Sequence, residues 1–342
     1  MSRKAAPSTG CETAPEPFQA RSDRKMAVRR RLKTALRWGA AAALLSLILW
    51  LAGPQKLARS LAGVDPAYFL VALLLSIASN LVSAARWAHL ARMLGLHAPT
   101  GQLIVFYARG ITANSILPGA TLSGDMLRGY QLHRMGNGLL RSGISVLFDR
   151  VSGLWVLCLM SLFAAALAWG GGNELSGAGL WQAAAVAGAL AAAIVLPFSL
   201  AFGRWWQWLP VKKLVSVIDQ CVEAMRILLN SRQGLLQQMG YSLGVQVLSI
   251  AALWLCAFAA GLNVSFLTMA ALAGPIFIMA AVPAGLGGWG TRELAAILLF
   301  GALGYSAELA ATTGILYGLC GLAQAILAVP LMMKRFNTGV DK

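Results

Sequence analysis

The sequence predicts an all-α, polytopic membrane helical bundle, and two observations lead to this prediction. Hydrophobic residues make up 58% of the 342 residues, and charged residues make up only 12%, about half of the share that soluble domains carry. The apolar residues also gather in runs close to the length of about 20 residues that a bilayer-crossing helix needs. A water-soluble enzyme is therefore excluded. We expect six full spans plus two broken, re-entrant segments, about eight hydrophobic segments in all.

The distribution of the basic residues that give the net charge of +16 indicates membrane topology rather than nucleic-acid binding. Residues 1–37 carry a net charge of +7 and the last nine residues carry +2, while most other basic residues lie in short gaps between apolar runs. Lys and Arg in tails and short loops mark the cytoplasmic side of a membrane. We therefore expect no nucleic-acid partner, and we place the protein in a bacterial inner membrane with both termini in the cytoplasm.

The predicted elements follow from the hydropathy of the chain. Residues 1–37 are polar and basic, which predicts a disordered cytoplasmic tail that meets anionic lipid. Residues 38–335 form the predicted transmembrane domain, and residues 336–342 form a second cytoplasmic tail. The predicted full spans are 38–53, 66–85, 151–169, 181–202, 237–260 and 308–333, with a shorter apolar run at 293–304.

An amphipathic helix is predicted over residues 211–230. Its apolar positions are 211, 214, 215, 218, 221, 222 and 225, which is the spacing of one helix face. We expect this helix to lie along the cytoplasmic membrane surface. Packing of its apolar face against a partner protein is the alternative.

Two apolar segments, 100–128 and 266–293, are interrupted by Pro and Gly. Pro removes a backbone donor and Gly adds backbone freedom, so we expect unwinding at residues 117–125 and 282–290. Unwound backbone is tolerated in a membrane only where protein or water covers it. Breaks at matching places in two halves, about 66–202 and 237–333, point to an inverted-repeat transporter. Helix kinks without a function are the alternative.

Charged residues beside the two breaks are the strongest site candidates, because an ionisable group in a membrane needs a partner. Asp125 and Arg128 are three residues apart and should share one helix face. Asp149 and Arg150 are adjacent, as are Arg292 and Glu293, so each should find its partner on another segment. Exposed-looking Arg134 and Arg141 are interpreted as cytoplasmic anchors. The full set of candidate substrate-binding and translocation residues is Arg109, Asn114, Pro118, Asp125, Arg128, Asp149, Arg150, Pro283, Gly287, Gly288, Arg292 and Glu293.

Four stretches together resemble the lysylphosphatidylglycerol synthase transmembrane family. They are Arg86-Trp87, the block from Asn114 to Arg128, the block from Ser145 to Leu154, and the block from Val282 to Glu293. The first long block departs from the usual pattern, because Ser123 stands where a second glycine is common. The resemblance implies a multi-span domain with two internal repeats and re-entrant helices that moves phospholipid between leaflets. It covers roughly residues 38–335.

The leading functional hypothesis is therefore a lipid flippase without an enzymatic activity. The phospholipid is expected to be aminoacylated or to carry another charged headgroup. No aminoacyl transfer is expected, because the chain stops nine residues after Met333. The scattered Cys and His residues suggest neither a metal site nor a cofactor. The alternatives are a membrane transferase acting on a lipid carrier and a scaffold for a lipid-modifying enzyme, and a homo-oligomer is left open.

Overall fold

A computed structural model describes residues 46–116, 122–170, 212–282 and 288–333. Within these ranges the chain forms helices and no β-strand, which confirms the all-α class. Residues 46–52 are helical. The helices that follow are α1 (Pro54–Ala62), α2 (Pro66–Met93), α3 (Thr100–Ile116), α4 (Leu122–His133), α5 (Leu139–Gly170), α6 (Lys212–Asn230), α7 (Arg232–Ala259), α8 (Phe266–Ala281), α9 (Thr291–Gly301) and α10 (Ala307–Met333).

Four of the described helices, α2, α5, α7 and α10, are long and apolar enough to cross a membrane. The predicted span 181–202 lies outside the described residues, as do the two tails, and the span 38–53 is described only from residue 46. The prediction that the third span begins at residue 151 was wrong, because α5 already begins at Leu139. Its first three turns contain charged and hydroxyl side chains that lower their hydropathy, and two of these, Ser145 and Asp149, are hydrogen-bonded to other helices inside the bundle.

Antiparallel packing of α2 and α7 defines two ends of the bundle. The N–H of Asp65, just before α2, donates to the carbonyl of Ala259 at the end of α7. At the other end, the His89 ring lies 3.1 Å from the carbonyl oxygen of Gly234. We call this second end, where α2 stops at Met93 and α5 begins, the Met93 end.

Polar side chains join α2 to α7 and α10 in the middle of the bundle. The hydroxyls of Ser79 and Ser249 are 2.7 Å apart, and Asn80 donates to Gln324 over the same distance. Gln324 in turn donates to Ser76. Hydrogen bonds of this kind hold membrane helices together where no hydrophobic effect acts between them.

Each predicted broken segment forms two short helices. The pairs are α3 with α4 and α8 with α9, and none of the four exceeds 17 residues, or about 26 Å of helix. In the second break, Gly288 and Gly290 have φ values of 83° and 91°, which confirms unwinding there. In the first break, α4 already begins at Leu122, so residues 122–125 are helical rather than unwound. Residues 117–121 and 283–287 lie outside the described part, and Pro118, Pro283 and Gly287 with them.

The amphipathic helix α6 confirms the predicted periodicity and turns part of its apolar face inward. Ala224 and Leu228 are buried and join the hydrophobic cluster at the Met93 end, which also contains Leu90 and Leu94. The face that could have received a partner protein is thus partly covered by the chain itself. Val217 and Ile227 stay exposed.

Candidate functional site

A buried carboxylate lies where α2, α4 and α5 meet near the Met93 end. Asp149 of α5 is 1% exposed. Its Oδ1 accepts from Nε of Arg86 at 2.9 Å, and its Oδ2 accepts from Nη1 of Arg128 at 3.2 Å. Both arginines are themselves buried. The prediction that Asp149 finds its partners on other segments is confirmed, because Arg86 lies on α2 and Arg128 on α4.

A second carboxylate extends this arrangement toward the surface of the bundle. Asp125 Oδ1 accepts from Nη2 of Arg128 at 2.8 Å, which confirms the predicted pair on one face of α4. Arg150 of α5 binds the same carboxylate through both Nε and Nη2, at 2.8 and 2.7 Å. We call the five residues Arg86, Asp149, Arg128, Asp125 and Arg150 the ion-pair network.

Aromatic rings hold the central arginine of the network. The guanidinium carbon of Arg128 lies 5.0 Å from the ring centre of Trp87 and 4.6 Å from that of Tyr107. The Trp87 indole N–H donates to Ser145 on α5, which fixes the ring. Contacts between a guanidinium and aromatic faces are favourable and become stronger when water is excluded. Arg128 is therefore held by two carboxylates and two rings.

Close backbone contact between α3 and α4 places Asp125 and Arg128. The Cβ of any larger residue at Gly124 would collide with the carbonyl oxygen of Gly110 and with Asn114. Instead, the Gly124 N–H donates to Asn114 Oδ1 at 2.6 Å, and the Ser123 hydroxyl donates to the Ala113 carbonyl. Asn114 thus makes an interhelical hydrogen bond. These contacts fold the segment back on itself just before the charged pair.

A cavity of about 1060 Å³ lies beside the network. Asp125, Arg150 and Arg86 contribute to its wall, whereas Asp149 and Arg128 do not. The wall also contains polar side chains from the interior of the bundle, namely Ser79, Asn80, Ser83, Tyr107, Gln246, Ser249 and Tyr317. The wall also contains exposed apolar and aromatic side chains on α4 and α5, namely Leu122, Met126, Tyr130, Leu139, Leu147 and Leu154. The cavity is therefore amphipathic.

The second break carries its own ion pair. Nη2 of Arg292 lies 2.7 Å from Oε1 of Glu293, and both residues are buried. The prediction that these neighbours point apart was wrong, because they lie in the first turn of α9. There the Glu293 side chain folds back so that Oε2 accepts from the Gly290 N–H at 2.6 Å, which brings Oε1 beside Arg292. Such a contact satisfies a backbone donor that the helix start leaves open.

The environment of Arg292 resembles that of Arg128. Its guanidinium carbon is 5.6 Å from the ring of Trp289 and 5.8 Å from that of Tyr317. Tyr317 also forms part of the cavity wall, where its ring contacts Phe277. The cavity thus reaches from the ion-pair network to the aromatic ring that contacts the second pair.

Two further candidate residues, Arg109 and Gly288, make contacts outside the ion-pair network. Arg109 does not join the network, because its Nε donates to the Leu331 carbonyl of α10 at 2.9 Å. Gly288 is required by the backbone, since a Cβ there would approach the Ala280 carbonyl oxygen to 2.8 Å.

Sequence reasoning missed several members of the site. Arg86 is part of the family resemblance, but its pairing with Asp149 was not predicted. Gln246 was also missed. It is buried, donates to the Gly153 carbonyl and lines the cavity. Its signal was a glutamine inside an otherwise apolar span, which is costly unless it is hydrogen-bonded.

Comparison with known proteins shows which family the chain belongs to. The family described as lysylphosphatidylglycerol synthase TM region matches residues 37–328, a range that contains every residue of the ion-pair network and of the second pair. The chain belongs to this family. A UPF0104 membrane protein of Methanocaldococcus jannaschii is 26% identical over 114 residues, which are 32% of this chain and 33% of that protein. The match thus spans about a third of the archaeal relative's length.

Membership in the lysylphosphatidylglycerol synthase TM family confirms the resemblance and identifies a multi-span membrane protein connected with lipids. The family is defined by the TM region of the synthase. The α3–α4 and α8–α9 helix pairs, which we call the two hairpins, and the charged residues beside them lie within the matched residues 37–328.

Proposed function

We propose that the protein is a lipid flippase that moves a phospholipid between the leaflets of a bacterial inner membrane. The observation that carries the proposal is the amphipathic cavity. A phospholipid has a charged headgroup and apolar chains, and both need to be accommodated during passage. Asp125, Arg150 and Arg86 offer charge on one side, while Leu122, Met126 and Leu147 offer apolar contact on the side open to the bundle surface.

The two hairpins, α3–α4 and α8–α9, support transport by alternating access. Each contains a break followed by a short helix, and each places an arginine against two aromatic rings and a carboxylate. Paired broken helices at the substrate path are typical of transporters built from inverted repeats. We infer that α3–α4 and α8–α9 are the equivalent re-entrant elements of two such repeats.

The test is headgroup-specific lipid translocation in proteoliposomes. Fluorescently labelled phospholipids are incorporated in both leaflets, and a membrane-impermeant reductant reports how fast the inner-leaflet label becomes accessible. We expect the parent protein to accelerate translocation over protein-free vesicles. Asp125→Asn and Glu293→Gln should slow it by about tenfold or more, because a buried arginine then loses an ionic partner worth at least about 1.4 kcal/mol.

Arg141→Gln is the matched control, since Arg141 lies on α5 like Arg150 but is exposed near the helix start and is not part of the cavity wall. Its translocation rate should equal that of the parent. Translocation by the parent no faster than in protein-free vesicles would contradict the proposal. Chemical conversion of the added lipid without movement between leaflets would favour the transferase alternative instead.

A further inference from the structure

The number and pairing of charges in the ion-pair network identify the ligand group that it can accept. Three guanidiniums and two carboxylates give a net charge of +1. Each of the four carboxylate oxygens already accepts a hydrogen bond from a guanidinium. A cationic headgroup at Asp125 would have to share a carboxylate that two arginines already bind, within a network whose net charge is positive. An anion meets a net positive charge instead.

Arg150 is the member of the network that can receive such an anion. Its side chain is 42% exposed and forms part of the cavity wall. The Nε–Nη2 edge of its guanidinium binds Asp125, whereas Nη1 has no hydrogen-bond partner among the described residues. The Nη1–Nη2 edge therefore keeps two parallel N–H donors that a second acceptor could bind. Planar two-point donation of this kind matches the oxygens of a phosphate.

The remainder of the cavity indicates that this phosphate belongs to a lipid. A volume of about 1060 Å³ is at the upper limit for small-molecule pockets and far larger than one phosphate requires. The cavity is also lined by Leu122, Met126 and Tyr130 of α4 and by Leu147 and Leu154 of α5, all exposed at the surface of the bundle. Apolar side chains in that position suit acyl chains, and a soluble phosphate gains nothing from them.

We propose that the cavity selects anionic phospholipids, with the Nη1–Nη2 edge of Arg150 binding the lipid phosphodiester. This inference rests on the proposed transport function and makes it more specific. It assigns the protein a substrate whose headgroup beyond the phosphate is neutral or negative, such as phosphatidylglycerol. An aminoacylated, cationic headgroup is disfavoured, because Asp125, the carboxylate of the network that lines the cavity, is already paired with two arginines.

The test measures lipid binding, which is separate from translocation. The full-length protein is purified in detergent, and native mass spectrometry compares retention of phosphatidylglycerol, phosphatidylcholine and lysylphosphatidylglycerol of identical chains. We expect the anionic lipid to bind at least about tenfold more tightly than the cationic lipid, a difference of about 1.4 kcal/mol. Equal or tighter binding of the cationic lipid would overturn the proposal even if the protein translocates lipid.

Variants with opposite expected effects on phosphatidylglycerol binding distinguish a specific loss of binding from misfolding. Arg150→Gln should weaken phosphatidylglycerol binding by about tenfold, and Arg150→Lys should restore only part of it, because an ammonium lacks the two-point geometry. Asp125→Asn frees the whole guanidinium and raises the net charge of the network to +2, so anionic lipid should bind at least as tightly as to the parent. Arg141→Gln is the control without an effect.

Soluble competitors distinguish a lipid from a free phosphate. Glycerol phosphate and inorganic phosphate at millimolar concentration should not displace phosphatidylglycerol, since they lack acyl chains. Displacement by either compound would overturn the assignment to a lipid. Loss of anionic-lipid binding in Asp125→Asn, or unchanged binding in Arg150→Gln, would overturn the role of Arg150.

Discussion

Asp149 is the residue on which the site depends most for its stability. It is buried, and it pairs with two arginines that are also buried, one on α2 and one on α4. Removing one partner from a buried ion pair leaves uncompensated charge, which typically costs about 3–5 kcal/mol. Asp149 therefore contributes to folding, while the more accessible Arg150 and Asp125 are available to a ligand.

Asp149→Asn should accordingly lower stability more than any exposed charge substitution. We expect a decrease of at least about 5 °C in the midpoint of thermal unfolding in detergent, from a loss of about 3 kcal/mol or more. The change is read from the monodisperse fraction after heating and size-exclusion chromatography. Glu223→Gln on α6, where the side chain is exposed, serves as the control. An equal midpoint for the two variants would contradict the role of Asp149.

Residue spacing could predict part of this network. Asp125 and Arg128 lie three apart on one helix, and that spacing alone places them together. The partner of Asp149 could not be found in this way, because Arg86 is 63 residues earlier in the chain. The pair of Arg292 and Glu293 escaped prediction for another reason, since it depends on the local backbone at the start of α9 and on the Gly290 N–H.

At the scale of the elements, the contact of Gly110 with Gly124 determines how closely α3 and α4 approach. The absence of a side chain at both positions lets the two backbones meet, and Asn114 then hydrogen-bonds the Gly124 N–H. Small residues where membrane helices cross serve the same purpose in many proteins. The position of Asp125 and Arg128 follows directly from this contact, because Asp125 is the residue after Gly124 and Arg128 lies one turn further along α4.

Gly124→Ala should therefore separate the two helices and disturb the ion-pair network. The added Cβ has no space, since it would contact the Gly110 carbonyl oxygen and Asn114, both of which belong to the hairpin. We expect a lower unfolding midpoint together with lipid translocation reduced about tenfold or more, the ratio that corresponds to 1.4 kcal/mol.

Gly240→Ala on α7 is the matched substitution, because a Cβ there has no neighbour within 4 Å. Alanine is favoured over glycine inside a helix by roughly 0.5–1 kcal/mol, so this variant should be as stable as the parent or more stable. A Gly124→Ala protein with parental stability and activity would show that the close approach is not required.

Hydropathy predicted the existence of the long helices better than their ends. Residues 139–150 were omitted from the predicted third span because they contain Arg141, Ser142, Ser145, Asp149 and Arg150. In the structure this stretch is the beginning of α5. Ser142, Ser145 and Asp149 are buried, and the last two are paired with other helices. An average of hydropathy over a sequence window includes the cost of burying polar groups. It does not include the hydrogen bonds and ion pairs that those groups make with distant parts of the chain.

At the scale of the whole molecule, the basic residues near the Met93 end support the proposed orientation in the membrane. Arg92, Arg134, Arg141, Arg226 and Arg232 all lie at helix ends or loops of that side. The loop between α7 and α8, residues 260–265, carries no Lys or Arg. An excess of Lys and Arg marks the cytoplasmic side, so the Met93 end should face the cytoplasm.

Reporter fusions check this orientation. Alkaline phosphatase inserted after Gly261 should be active, because it would lie in the periplasm, and the same reporter inserted after Gly136 should be inactive. Green fluorescent protein fused after Lys342 should fluoresce if the C-terminus is cytoplasmic. The reverse pattern would contradict the proposed orientation of the protein and would place the ion-pair network nearer the outer leaflet.

The ion-pair network also has a consequence for how the chain enters the membrane during synthesis. The helices α3 and α4 are each too short to cross a bilayer, and α4 brings Asp125 and Arg128 with it. Their partners on another helix, Asp149 and Arg150 of α5, are made later, and Asp149 also pairs with Arg86 of α2, which is made earlier. At about 5–20 residues per second, the ribosome needs about 3–13 s to go from Arg86 to Arg150. We therefore expect α2, α3 and α4 to stay together during insertion until the first half of α5 arrives.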